Sequence, residues 1–406
     1  MTRKTWFTLH SWCGLYLSLL MSFVLITGTL ATISAEIDWL ASPSFRADGL
    51  QHRPIDWGQS YEFARAHSPN ARLLSINAPM APWFATTVIA ANENNERFRI
   101  YLDPVTNTVQ GVGRWNNWQR FFRQVHRHLM LPIKIGVTIV GLLAIPLLIA
   151  FCSGTVIYRQ WWRGLFVNPF KRIEVRSSPK QSIKTRRRYW GNVHRWLGAW
   201  SLWFILLIAL TGIWYLLEQW GMQHRYPSIN IAEKSQQQIE EPISGEDISI
   251  FVNRAKTSRP DLAVTSVALP SGNNQLIRIR GQLHAVLVRP RANQVTYNTV
   301  SRQLLEARDG AELSLHGRLS EAADPLHFGT FGGWPVRYLW FLLGAAMSTL
   351  AVSGVYLFGL RAVRGQSDTT PAASYSAAWR HMSFYRWPAL IAIFSCLTLA
   401  AVTFGQ

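Results

Sequence analysis

"VHRWLGAWSLWFILLIALTG", residues 193–212, sets one His at the mouth of an apolar run long enough to cross a bilayer. The chain has already said nearly the same in "LHSWCGLYLSLLMSFVLITG", residues 9–28. His10, Trp12 and Gly14 of the earlier copy match His194, Trp196 and Gly198 of the later one, and each copy closes on Thr-Gly eighteen residues after its His. A second pair rhymes less closely. "FRQVHRHLMLP" precedes a run ending in "CSGTVIYRQWWRG", and "DPLHFGTFGGWP" precedes one ending in "VSGVYLFGLRAVRG", so that His126 stands before Gly154 much as His327 stands before Gly354. The chain is a duplicated unit, one helix out, a polar domain, one helix back.

Five runs reach the roughly 20 residues that a hydrocarbon core requires: about 13–34, 131–157, 197–217, 335–359 and 387–404. With half of the 406 residues apolar, this is an integral membrane protein. Two spans per copy give both copies one orientation, related by an axis along the membrane normal. The expected order is a first span with a cytoplasmic N-terminus (1–35), an α+β domain (36–125), a second span (126–158), a basic cytoplasmic loop (159–192), a third span (193–217), a second α+β domain (218–326), a fourth span (327–360), a cytoplasmic loop (361–386) and a fifth span (387–406). The fold class is a mainly α membrane protein: a four-helix bundle of duplicated two-helix units, a fifth helix and two small α+β domains.

The formal charge of +19 is unevenly spread. Residues 36–130 carry ten Lys and Arg against eight Asp and Glu, and residues 218–334 carry twelve against twelve. Residues 158–189 carry ten basic side chains and the single acid Glu174. Basic connections mark the cytoplasmic face, so the neutral domains lie outside and "KTRRRYW" reports topology, not nucleic acid. The protein is expected in a bacterial inner membrane. Cys13, Cys152 and Cys396 form no CxxC or CxxCH and no disulfide framework, which removes covalent haem attachment.

Each polar domain reads as one short helix and a strand, in "SYEFARAHSPNARLLSI" and "ISIFVNRAKTSRPDLAVTSV". Further strands are expected at "WFATTVIA", "RFRIYLD" and "NTVQGVG", and at "QLIRIRG", "AVLVRP" and "QVTYNTV", giving each domain its own small antiparallel sheet.

A His at a helix end can be an interfacial anchor or a ligand. His10 and His194 begin outward helices near the cytoplasmic side, and His126 and His327 begin inward helices near the other side, so the repeat sets two facing pairs. Paired imidazoles on facing helices are the axial ligands of a non-covalent, low-spin haem, whereas no thiol or carboxylate recurs beside them to complete a zinc site. Gly28 and Gly212 lie about 27 Å along a straight helix from their His, level with the outer pair, and Gly154 and Gly354 lie near the inner pair. Glycine there makes room for a flat macrocycle or for helix packing. His128 could compete with His126, and His381 with His10 or His194. His52, His67, His284 and His316 read as surface residues of the polar domains.

"HRWLGAW...LTG", "LHFGTFGGWP...VSGVY" and "YLDPVTNTVQG" resemble the PepSY-associated transmembrane family, and the fifth helix with four motif histidines resembles its ferric-siderophore reductases. The resemblance implies His10, His126, His194 and His327 as axial ligands of two haem b groups, with "HSWCG" departing from the usual HRWxG. Arg127 and Arg195, beside His126 and His194, are candidate partners for haem propionates. The implied function is electron transfer from a cytoplasmic or quinol donor to a ferric siderophore, with release of Fe(II); no GxGxxG or flavin motif supplies a donor site in the chain itself. A non-redox binding or regulatory protein and a siderophore transporter are the rival readings. The charge distribution makes a direct prediction: reporter fusions near Ser178 should read cytoplasmic and fusions after Gln406 should read the opposite side, and a reversed pattern would invert the direction of electron flow.

Overall fold

In the computed structural model the described residues are 1–47, 54–166, 168–169, 179–227, 243–271, 275–363 and 370–405, so that His52, Ser178, Gln406 and the middle of the basic connection, 170–178, lie outside them. Along the chain run α1 (Arg3–Tyr16), α2 (Ser18–Thr32), α3 (Ser34–Ala41), α4 (Trp57–His67), β1 (Arg72–Asn77), β2 (Thr86–Ala91), β3 (Arg97–Leu102), β4 (Val109–Arg114), α5 (Trp118–His128), α6 (Ile133–Leu142), α7 (Ala144–Ile157) and α8 (Trp161–Gly164). The order then recurs in α9 (Pro179–Trp200), α10 (Leu202–Leu217), α11 (Gly245–Ser258), β5 (Ala263–Ala268), β6 (Leu276–Gln282), β7 (Gln294–Asn298), β8 (Leu304–Arg308), α12 (Leu315–Phe328) and α13 (Gly333–Ala362), before α14 (Pro371–Met382) and α15 (Arg386–Phe404). These elements form a helical unit, Met1–Ile33, Arg120–Met222 and Tyr338–Gln406, and a sheet unit, Ser34–Gln119 and Gln223–Arg337.

Among the described residues four helical stretches are long and apolar enough to cross a membrane: Ile133–Ile157, Leu202–Met222, Thr330–Ala362 and Pro371–Phe404. A fifth exists if α1 and α2 count as one span, although they meet at 69°. The straight first helix expected from its apolar run is therefore corrected to two helices. The cause is local. The Ser18 hydroxyl donates to the Leu15 carbonyl at 2.6 Å, offering that carbonyl an alternative to the helix ladder. The second copy breaks at the aligned residue: Leu17 has φ −98 and ψ −1, Ser201 has φ −91 and ψ 3, and the Ser201 hydroxyl donates to the Leu197 carbonyl. Between α6 and α7 the interruption at Leu143 follows from Pro146, which has no N–H for the Leu142 carbonyl. α15 packs its Cys396 and Ala400 on Val24 of α2.

In the sheet unit the two α+β halves are not separate sheets. β1 pairs antiparallel with β5, Ile76 opposite Val267, and the order β4-β3-β2-β1-β5-β6-β7-β8 is one eight-stranded sheet. Period-2 alternation sends Ile76, Val88, Ile100, Val267, Ile279 and Val295 to one face, where they meet Tyr61 and Ala64 of α4 and Phe251 and Val252 of α11. The two helices touch backbone to backbone. A Cβ on Gly58 would lie 2.4 Å from the Gly245 carbonyl oxygen, and one on Gly245 2.6 Å from that of Gly58, so neither position admits a side chain. Two strand assignments are corrected. "AVLVRP" is not a strand: Ala285, Val288 and Ala292 fold into their own small cluster, and Pro290 opens a short 3-10 turn. "LLEAR" instead supplies the edge strand β8.

α12 is anchored by a buried ion network. Arg289 donates to Glu321 at 2.7 and 3.0 Å, to Asp324 at 2.8 Å and to the Ser320 carbonyl at 3.1 Å, while Arg291 donates to Glu321 at 3.0 Å. Burial alone would raise the Glu321 carboxyl, but its hydrogen bonds to Arg289 and the Arg289 and Arg291 charges outweigh that and hold it below the usual carboxylate range. A depressed carboxyl stabilises the fold above its unfolded pKa of about 4.3, and the contribution is lost as pH falls through the folded value. Thermal stability of the sheet unit, followed by circular dichroism, should fall steeply on acidification below about pH 4. Glu321→Gln, which cannot titrate, should flatten that acid limb; an unchanged acid limb would remove Glu321 as its source.

Candidate functional site

The candidate histidines are placed by helices whose local chemistry repeats. On α1, His10 Nδ1 lies 2.9 Å from Ser153 Oγ of α7, and on α9, His194 Nδ1 lies 2.9 Å from Ser353 Oγ of α13. A hydroxyl has one hydrogen. Ser153 gives its hydrogen to the Ile149 carbonyl at 2.7 Å and Ser353 to the Leu350 carbonyl at 3.2 Å. With its hydrogen so placed, each serine oxygen accepts, the Nδ1 of His10 or His194 carries the proton, and Nε2 is the unprotonated ring nitrogen. His126 arrives at the same tautomer by another route, because its Nδ1 lies 2.9 Å from the Val24 carbonyl, which can only accept. Fixing one ring nitrogen to set the other is how proteins orient metal-binding imidazoles.

The glycines stand beside these rings, for a more specific reason than packing. A Cβ on Gly28 would fall 2.6 Å from His126 Cε1, so the imidazole itself occupies that space. Cβ atoms on Gly154 and Gly354 would touch His10 Cε1 at 3.9 Å and His194 Cε1 at 3.6 Å. Gly212 differs, since a Cβ there would meet Ala144 at 2.9 Å, making it a helix-packing position between α10 and α7.

Within the helical unit His10 and His194 lie in electrostatic range of each other, and Arg361 lies in range of both. The Arg361 guanidinium is stacked 4.8 Å over Phe7, one turn before His10. Arg361 also follows Gly354 by two turns on the same face of α13. The arginines chosen from sequence sit differently. Arg127 and Arg195 are exposed, and Arg195 is hydrogen-bonded to Asn192. His128 points away from His126, two positions along α5, and its Nδ1 closes a turn onto the Leu131 carbonyl at 2.7 Å across Leu129 and Met130, both at positive φ. His381 is exposed on α14 against the Phe358 ring.

His327 lies on the last turn of α12 in the sheet unit, its ring 5.2 Å from Phe328. The helix that carries His126 is also started from that unit: the Asp38 carboxylate of α3 accepts from Asn117 Nδ2 at 2.6 Å and from the N–H groups of Trp118 and Gln119 at 2.8 and 3.0 Å, capping α5. His67 ends α4, His284 faces Asp261 at 3.4 Å with both side chains exposed, and His316 lies at the start of α12, its ring 5.8 Å from that of His224. Among the described residues no three His, Cys, Asp or Glu side chains gather for a bare metal ion.

Sequence reading missed Ser153, Ser353, Arg361 and Asp38. For the serines a signal was present, because both directly precede the aligned glycines in "CSG" and "VSG". Histidine-selective 15N spectra of haem-free protein should show His10 and His194 as neutral rings protonated at Nδ1. Ser153→Ala and Ser353→Ala should each move one ring toward a mixture of tautomers, and spectra unchanged in both variants would dismiss the serines as tautomer-setting groups.

The family model described as the PepSY-associated TM region matches residues 7–361. No curated protein matches the chain.

Proposed function

The chain belongs to the PepSY-associated transmembrane family, and from that footing we propose that it is a di-haem oxidoreductase of the bacterial inner membrane that passes electrons to a ferric siderophore in the periplasm and so releases Fe(II) for uptake. The observation that carries this reading is one arrangement made three times: an imidazole whose Nδ1 meets a fixed partner on a neighbouring helix, with a glycine beside the ring. An interfacial anchor needs none of these features, whereas an axial ligand needs the lone pair and a fixed ring plane.

The donor set fits haem b. His10 and His194 would hold one group, and the resemblance gives His126 and His327 as further axial ligands. The bound groups would supply one-electron transfer, chemistry that these side chains lack. Ser153 and Ser353 keep their histidines in the ligating tautomer and restrain ring rotation. Arg361, half-buried and within electrostatic range of both inner histidines, is a better candidate to neutralise a carboxylate there than the exposed Arg195. The electron donor is either a cytoplasmic protein or a quinol. The ferric chelate is the substrate, and hard oxygen donors hold Fe(III) far more tightly than Fe(II), so that adding one electron frees the metal.

Purified protein should show two six-coordinate b-type haems per chain, and His10→Ala or His194→Ala should remove one and spare the other. Protein reduced anaerobically and freed of reductant should be reoxidised by ferric chelates, with Fe(II) appearing in step in a ferrous trap. His327→Ala should block that transfer. The reading fails if haem-replete cells yield a folded but colourless protein. It also fails if reduced protein stays reduced in excess ferric chelate while ferricyanide oxidises it at once.

A further inference from the structure

The face of the sheet turned away from α4 and α11 is built differently in its two halves. Across β6, β7 and β8 one row runs Arg280, Gln294, Arg308, and the row two residues along runs Arg278, Thr296, Glu306. Period-2 alternation puts all six on the face opposite α4 and α11, where Gln294 and Thr296 are buried and the arginines stand at intermediate exposure around them. The antiparallel pairing of Ile76 with Val267 makes Ser75 equivalent to Ser266 and Asn77 equivalent to Ala268, so the positions equivalent to Arg280 and Arg278 are Ile89 and Thr87. The first half carries a single guanidinium in these rows, Arg99, which lies opposite Ile89, stacks over Trp115 and is buried. The fold therefore does not require arginines at positions 278, 280 and 308.

These arginines are ordered. Arg280 Nε donates to Gln294 Oε1 at 2.7 Å, Gln294 Nε2 donates to Glu306 Oε2 at 3.0 Å, and Arg308 grips Glu306 Oε1 through Nε and Nη2. The Arg308 guanidinium is stacked 3.8 Å over Tyr226, with Arg291 at 5.9 Å from the same ring. Beside Tyr226, at 5.0 Å between ring centroids, lies His224, whose buried Nε2 has no hydrogen-bond partner among the described residues. Arg278, Arg280, Arg289, Arg291 and Arg308 face Glu306, Glu321 and Asp324, five positive charges against three negative, which leaves two in excess. Burial, and then repulsion from Arg278, Arg308 and Arg291, hold Arg280 below the ordinary guanidinium range. Crowding like charges on a partly buried surface is unfavourable unless an anion completes the set. Arg289 and Arg291 also tie the patch to α12, the helix that bears His327.

We propose that this arginine-rich face docks an anionic ferric chelate, one whose carboxylate or catecholate oxygens leave it a net negative charge, in preference to a neutral or cationic hydroxamate chelate. Guanidinium forks pair bidentately with paired anionic oxygens, and the excess charge discriminates against a chelate without them. For its iron the proposal rests on the reductase reading; for its charge it rests on the register and the side-chain geometry.

The test uses gallium(III), which copies the size and charge of Fe(III) and is not reduced under these conditions, so that docking is measured apart from electron transfer. Full-length protein in zwitterionic detergent is dialysed to equilibrium against gallium tris-catecholate or, separately, a cationic gallium trihydroxamate, and retained gallium is counted by mass spectrometry. The anionic complex should be retained about tenfold better at low salt, with most of the preference gone at about 0.5 M salt. Arg278→Gln, which breaks no hydrogen bond described above, should weaken retention about fivefold, and Arg278→Gln with Arg280→Gln should weaken it further. If the double variant does not fold, the single variant decides. Equal retention of the two complexes, or retention unaffected by Arg278→Gln, overturns the proposal. Displacement of the gallium complex by an equal concentration of inorganic phosphate or glycerophosphate overturns it in favour of a phosphate or lipid-headgroup site. If gallium docks as expected but reduced protein is not reoxidised by the iron counterpart, the docking site stands and the reductase reading falls.

Discussion

The antiparallel pairing of β1 with β5 turns two copies of one motif into a single sheet, and the placement of its neighbours follows from it. Joined at Ile76 and Val267, the two halves bring α4 and α11 so close that only Gly58 and Gly245 fit at their crossing. The same join sends one continuous apolar face toward those helices. On the opposite face the first copy carries Ile89, Arg99 and Tyr101 where the second carries Arg280, Gln294 and Thr296. Duplication supplied the symmetry, and the functional reading lies in the departures from it.

In the helical unit the organising constraint is smaller, a single hydroxyl hydrogen. Spent on a carbonyl of the same helix, it leaves Ser153 and Ser353 to accept from the imidazole. In a low-dielectric setting, where a polar group left unmatched costs several kcal/mol, such an arrangement holds its tautomer firmly. The glycine after each serine keeps the adjacent face of the helix clear for the ring. Serine and glycine together thus form a two-residue seat for a histidine on another helix.

The sequence made some of this legible and hid the rest for physical reasons. Apolar runs of membrane length and the doubled His, Trp, Gly spacing reveal the spanning stretches and the repeat, because those signals are local and strong. Most strands were readable from alternation alone. The bend at Leu17 was not, because it turns on one serine hydroxyl inside an unbroken apolar run. The β1–β5 join was not, because pairing between distant strands leaves no local mark. "AVLVRP" has the composition of a strand and lost that role to Pro290 and to the turn of Arg289 toward Glu321. Among the candidate ligands, the histidines and three of the four glycines beside them could be read from spacing. Gly212 could not be told from them, since helix packing and ring accommodation both ask for the smallest residue.

The join between β1 and β5 also sets an order of events in biosynthesis. Val267 follows Ile76 by about 190 residues, so at roughly 5–20 residues per second β1 waits on the order of 10–40 s for its partner. In that interval the ribosome must deliver α5 to α11, among them the long apolar α6, α7 and α10. The first half of the sheet therefore spends its early life with a bare edge where its centre will be, the kind of edge that invites pairing with another chain. Insertion of the intervening helices becomes the clock that decides how long that exposure lasts.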